Sequence, residues 1–335
     1  MKKILLTLLL FISLGLSACT TSDDDSITVV TTLFPQYSMV EAIALEGINH
    51  VYILPFGSSA HTFEPTPSDV ATILDASLLI YTGEIMEGWV HDIEDSKPDS
   101  LRILDLSRFV DLIDEDADEN HDDHDDHDET DSDHDDHEHE HMEDDHEGHE
   151  HGTVDPHYWL DPHNLEEMAQ SIADALIVLV PDQATTITKN LSAYLEELEA
   201  YEEATTELIT NAPVRTLLHG GHNAFAYFAG HYGLTYQTPY SGFSDDQEPT
   251  AQAIAELIDT VDLLKTSVIF AEEFIQPNVA NAIAEATGVV VVQLYTAGNI
   301  SQDLYDEGWT LLDILYENNE RLKEGLYPDE CTVCS

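Results

Sequence analysis

The chain is 335 residues long, too much for one small module and enough for two lobes that each bury a core. An apolar share of 42% excludes a wholly disordered chain, although 68 acidic residues face only 10 basic ones. The formal charge of -58 excludes nucleic-acid binding, which needs a Lys/Arg footprint, and works against adhesion to anionic headgroups.

Lys2 and Lys3 lead into an apolar run from Ile4 to Leu14 that is too short to span a bilayer, so residues 1–18 read as an export signal. The run ends in Leu16-Ser17-Ala18-Cys19, which resembles a bacterial lipobox, where the cysteine becomes the acylated first residue of the mature chain. Residues 19–26 then form a polar tether, and the mature protein is expected outside the cytoplasmic membrane, held by lipid on Cys19.

From Ile27 short β-branched runs alternate with amphipathic stretches. Ile27 to Thr32, Val51 to Leu54, Leu78 to Tyr81 and Leu101 to Leu104 read as strands, with a helix opened by Pro35 and stopped near Gly47. Strands spaced by helices predict a parallel-sheet lobe over residues 27–181. Residues 182–211 carry Ile187, Leu191, Tyr194, Leu195, Leu198 and Tyr201 at helical spacing without Gly or internal Pro, which predicts one long connecting helix. The alternation returns over residues 212–326, with strands at Thr216 to Leu218, Leu234 to Tyr236, Ser267 to Phe270 and Val289 to Val292 and helices at Thr250 to Leu264 and Pro277 to Ala286. A tail of residues 327–335 ends the chain, and its Cys331 and Cys334 are expected to form a disulfide in an oxidising compartment.

Residues 114–151 break this periodicity. They hold ten of the 18 histidines among 22 acids, with no apolar face to offset ordering entropy, so a disordered acidic His-rich loop inserted in the first lobe is expected. Imidazole is a borderline metal ligand, and this density points to capture of zinc, copper or nickel. A flexible tract makes no selective site, so the histidines of the lobes matter more. His50, His91, His163 and His231 stand in helical or polar surroundings and read mainly as surface residues.

His61 lies in Gly57-Ser58-Ser59-Ala60-His61-Thr62-Phe63-Glu64-Pro65, after a strand and before a helix, at the edge where open α/β lobes place ligands. His157 sits between prolines in Asp155-Pro156-His157-Tyr158-Trp159-Leu160-Asp161-Pro162, where acidic neighbours can orient the ring. His222 follows the first strand of the second lobe in His219-Gly220-Gly221-His222-Asn223-Ala224-Phe225. His219 reads as a packing or supporting residue, and Phe225, Tyr227 and Phe228 as core. His61, His157 and His222 are therefore the candidate metal ligands, two from one lobe and one from the other.

The ordered set of Gly-x-x-x-His-x-x-x-Pro-x-Pro at 57–67, the acidic His-rich insertion, Asp-Pro-His-x-Trp-Leu-Asp-Pro at 155–162 and His-x-Ala-Phe-x-Tyr at 222–227 resembles one known family. It is the cluster A-I solute-binding lipoproteins of bacterial metal ABC importers, in the zinc branch. Gly242-Phe243-Ser244, Glu248-Pro249-Thr250 and Phe270-Ala271-Glu272 extend the match.

The resemblance implies an α/β chain of two (β/α)4 lobes with parallel sheets on one rigid helix. It also implies Zn2+ bound in the cleft by His61, His157 and His222, and delivery to an ABC permease by a monomer. Manganese-type relatives carry a carboxylate where His222 stands, and an all-imidazole trio is softer and suits zinc. Relatives often supply a fourth ligand near residues 296–303. Here that stretch is Tyr295-Thr296-Ala297-Gly298-Asn299, which leaves water, Asp303 or Glu272. A manganese-binding relative, a surface adhesin or a zinc buffer is an alternative role, and so is an extracellular zinc hydrolase, which would need a base such as Glu64 because His-Glu-x-x-His is absent.

Overall fold

The computed structural model describes residues 27–44, 47–113, 154–243 and 248–334. The export signal, Cys19 and its tether lie outside the described residues, as does the His-rich insertion.

In the first lobe, strands β1 (Ile27–Thr31), β2 (Ile48–Tyr52), β3 (Leu78–Tyr81) and β4 (Arg102–Asp105) pair in the order β2-β1-β3-β4, all parallel. Parallel pairing requires crossovers, and α1 (Phe34–Ile43), α2 (Pro67–Leu74) and α3 (Val90–Ser96) supply them. Pro35 and Pro67 sit in the first turns, where a missing N–H costs nothing, and Thr66 caps α2 by accepting from the Asp69 N–H. Helix α1 ends at Ile43, short of Gly47. The strand order reverses beside β1, which opens a crevice at the carboxyl ends of β1 and β3.

Two helices follow the insertion. Asp161 caps α4 (Pro162–Leu179), and after a 3-10 turn at Pro181–Gln183 the helix α5 runs from Ala184 to Thr210. At 1.5 Å per residue α5 is about 40 Å long. Its buried face is Ile187, Leu191, Tyr194, Leu198, Tyr201, Thr205 and Ile209, which extends the expected stripe by two turns.

The second lobe repeats the first. Strands β5 (Thr216–Leu218) and β6 (Thr235–Gln237) pair in parallel, as do β7 (Val268–Ala271) and β8 (Val290–Gln293). A bridge between His219 and Phe270 joins the pairs. Helices α6 (Ala226–Tyr232), α7 (Ala251–Leu264) and α8 (Asn278–Thr287) make the crossovers, and α9 (Gln302–Asp306) and α10 (Leu311–Leu326) close the fold. One continuous apolar core runs from Val29 and Met39 of the first lobe through α4 and α5 to Leu315 and Leu322 of α10. Cys331 and Cys334 are disulfide-bonded with Cα atoms 5.6 Å apart. Among the described residues no helix is long and apolar enough to cross a membrane.

Candidate metal centre

The three candidate histidines meet where the carboxyl ends of the two sheets face one another. His61 sits in the loop from β2 to α2, and its N–H donates to Ser59 Oγ at 3.2 Å. His157 opens the 3-10 turn Tyr158–Leu160, and His222 lies in the loop after β5. The Nε2 atom of His157 is 3.1 Å from Nε2 of His61 and 3.1 Å from Nε2 of His222. One nitrogen from each ring falls within a group whose members all lie within 4.8 Å of one another. Ring centroids are 5.0 to 5.1 Å apart in all three pairs.

In His157 and His222 the other ring nitrogen is held by a carboxylate. His157 Nδ1 donates to Asp155 Oδ1 at 2.8 Å, and the same oxygen accepts the His157 backbone N–H at 2.9 Å. His222 Nδ1 is paired with Glu272 Oε2, and Glu272 follows directly after β7. With the Nδ1 protons committed there, the Nε2 atoms of His157 and His222 turn lone pairs toward a common point, a donor set that fits a cation. Burial holds His157 well below the usual imidazole range, helped by the charges of His222 and His61, so it stays neutral and ready to ligate. Burial also pushes Asp155 up to about 8 against the opposing hydrogen bond from the His157 backbone. Burial opposes ionisation of Glu272 too, but the hydrogen bond and charge of His222, with His219 behind it, hold this carboxyl below its ordinary value.

Residues of both lobes complete the walls. The cleft has a volume of about 40 Å³ and is lined by Met86, Trp159, Glu272, Phe274, Thr296 and Asn299 besides the histidines. Trp159 lies edge-on to His157, with centroids 5.4 Å apart, and its Nε1 donates to the Thr296 carbonyl at 2.8 Å. Glu273 is pushed up to about 7 by burial, while its carboxylate accepts from the N–H and hydroxyl of Thr296 and the N–H of Ala297. That bracing fixes the loop along the cleft wall, which Glu273 itself lines.

The remaining sequence candidates separate clearly. Asp303 is exposed in the first turn of α9 and does not line the cleft, whereas Glu272 does. Glu64 is exposed and also outside the lining. His219 is fully buried, edge-on to Phe225 at 5.0 Å. His50 departs from the surface reading: its ring stacks on Tyr37 at 4.5 Å and bonds Glu41 and Thr31. His231 joins Asp161 and Glu202, each at 3.1 Å.

Two parallel-sheet lobes on a shared helical frame, with imidazoles converging at the facing strand ends, are the architecture of a two-lobed binding protein. The chain belongs to the ZnuA family, the periplasmic component A of zinc-uptake complexes, whose model matches residues 29–325. The high-affinity zinc uptake system protein ZnuA of Bacillus subtilis is 32% identical over 306 residues, covering 91% of this chain and 89% of that protein. The zinc-binding lipoprotein AdcA of Streptococcus pneumoniae is 31% identical over 326 residues, 97% of this chain, and the chain spans only 61% of the length of AdcA. Among solved structures, the Zn(II)-bound ZnuA-like domain of Streptococcus pneumoniae AdcA superposes with a TM-score of 0.68 at 25% identity, covering 90% of this chain and 99% of that domain. The laminin-binding protein Lmb of Streptococcus agalactiae, a bifunctional protein with adhesin and metal transporting activity, gives 0.71 at 27% identity, over 90% of this chain and 99% of Lmb.

Proposed function

We propose that this protein captures zinc outside the cytoplasmic membrane, through His61, His157 and His222, and delivers it to the permease of an ABC importer. The observation that carries this reading is the convergence of the imidazole nitrogens, with Asp155 and Glu272 holding the far side of two rings. Tetrahedral zinc with Zn–N bonds of about 2.0–2.1 Å sets its ligand nitrogens about 3.3 Å apart, close to the 3.1 Å seen on either side of His157 Nε2. An imidazole at position 222 supports zinc over manganese. Glu272 is committed to His222, so the fourth position goes to water, for which a cleft of about 40 Å³ has room. The same small volume, with Glu64 outside it, supports a binding protein over a hydrolase, whose organic substrate needs about 300 Å³ or more.

The accompanying organisation takes residues 1–18 as signal, 27–181 and 212–326 as the lobes, 182–211 as the link and 327–335 as a tail. Cys19 carries the lipid that keeps a monomeric chain at the membrane, and its replacement by alanine releases the protein into the medium.

Scavenging trace zinc requires nanomolar affinity, about -12 kcal/mol. Elemental analysis of protein purified with its native ion tests the metal, and isothermal titration tests the ligands. His61→Ala, His157→Ala and His222→Ala are each expected to weaken binding about tenfold or more. Unchanged zinc uptake in a strain lacking the protein overturns the importer role.

A further inference from the structure

The loop after β8 reaches across the cleft and grips the loop that carries His61. Asn299 is only 4% exposed, and every polar atom of its side chain is used. Its Nδ2 donates to the carbonyls of Pro55 at 2.8 Å and Ser58 at 2.7 Å, both in the opposite lobe. Its Oδ1 accepts from the Tyr52 hydroxyl at 2.8 Å and from the Ile300 N–H at 2.7 Å. Two carbonyls on one side and two donors on the other admit a single orientation of the amide. Beside it the Gly57 N–H donates to the Ile300 carbonyl at 3.0 Å.

Ser58 stands three residues before His61, and the chain between them has no helix or strand to hold it. The position of the His61 imidazole therefore depends on what pins residues 55–58, and much of that pinning comes from the second lobe. We propose that Asn299 is a positioning residue for His61, a cross-lobe clasp whose hold on the 55–58 turn sets how long the ion stays in the cleft. This rests on the zinc-binding reading above. Asn299 grips the ligand loop and leaves the ion to the imidazoles; opening the clasp frees His61 from the site while His157 and His222 keep their carboxylate partners.

The test is the rate of zinc release into excess chelator, with equilibrium affinity, for the full chain and its variants. Asn299→Ala loses both donors to the turn, and release is expected to speed up about tenfold or more. Asn299→Asp separates clasping from electrostatics. A carboxylate added beside a bound cation holds it tighter, whereas a carboxylate facing two carbonyls repels the turn, so faster release is the expected result. Tyr52→Phe removes only the hydroxyl that orients the amide, and a smaller acceleration in the same direction is expected even where the Asn299 variants fold poorly. In a His61→Ala background, Asn299→Ala is expected to add less than about twofold, because its target is gone. Slower release from Asn299→Asp, or effects of Asn299→Ala and His61→Ala that multiply in full, overturns the clasp. Tight wild-type binding with release unchanged in Asn299→Ala and Tyr52→Phe overturns the clasp alone, and a wild-type chain that takes up no zinc overturns the zinc reading with it.

Discussion

Replacing Asp155 by asparagine isolates the part played by charge behind a ligand. Asp155 is fully buried, and its Oδ1 serves both the backbone N–H and the Nδ1–H of His157, at 2.9 and 2.8 Å. An asparagine oxygen can accept the same two bonds, and the backbone contacts of residue 155 to Ile113 and Tyr227 are untouched. Among the described residues Oδ2 has no hydrogen-bond partner, so the new amide nitrogen replaces one unpaired polar atom with another. What is lost is the charge that strengthens the imidazole as a donor to metal. Turning a charge-assisted bond into a neutral one removes about 1–1.5 kcal/mol. Loss of an outer partner of a metal-bound histidine costs about 10–100-fold in affinity, about 1.4–2.7 kcal/mol, and the two estimates meet near tenfold. Because burial raises Asp155 to about 8, zinc entering at pH 7 must also drive a proton off this carboxyl. Titration calorimetry in buffers of different ionisation enthalpy reads both effects. Above pH 8, where the wild-type carboxyl is already ionised, Asp155→Asn is expected to bind zinc about tenfold more weakly, and at pH 7 it is expected to release close to one proton fewer. Affinity within about twofold of wild type, with the same proton count, refutes this role for Asp155.

The cleft and the His-rich insertion are expected to be independent: deleting residues 120–151 leaves the tight titration phase intact, and its disappearance would move the principal site into the loop. Gly221 leaves no room for a methyl group, since a Cβ there falls 2.5 Å from Glu272 Oε1 and 2.8 Å from His219 Cε1. Gly221→Ala should push Glu272 off His222, weakening zinc about tenfold, and should lower stability by about 1–3 kcal/mol, measured by titration and urea unfolding. Glu87 is raised to about 7 by burial, against hydrogen bonds from Thr32, Gly83 and Thr82. A carboxyl with a raised folded-state pKa contributes fully below its unfolded value near 4.5, and that stability is lost as pH climbs through 7. Urea midpoints between pH 4.5 and 7 should therefore fall for wild type, by up to about 1.4 kcal/mol per pH unit from this group, and Glu87→Gln should flatten the slope.

His61 and His222 were legible because each sits in a short motif after a strand, where local pattern and sheet topology agree, and His157 because prolines and an acid frame it at the start of a 3-10 turn. Asp155 was legible as the acid two residues from His157. Glu272 could be read only as an acid of the cleft, because its pairing with His222, fifty residues earlier, depends on β5 lying beside β7. Asn299 gave no signal as a metal residue: it carries no charge, and its partners are backbone carbonyls 244 and 241 residues away. Asp303 stood near enough in sequence to be a ligand candidate, but Ser301 caps α9 and that helix start leaves Asp303 exposed. His50 looked like a surface residue in helical or polar surroundings, and only the folded helix α1 brings Tyr37 against its ring. The long helix was the clearest element, since about four turns of one apolar stripe from Ile187 to Tyr201 leave little ambiguity of period.

Because α1, α4, α5 and α10 share a single interior, the two halves of the molecule have no inexpensive axis about which to swing. Parting them widely would strip Leu311, Leu315 and Leu322 from their neighbours, at about 1.5–3 kcal/mol for each side chain wetted. Unloading is cheaper when worked at the rim, by shifting residues 55–61 and 296–300 while the frame stays still. On the proposed transport role, a membrane partner would need only to compete for a handful of polar contacts, and the cargo would leave without the carrier being dismantled.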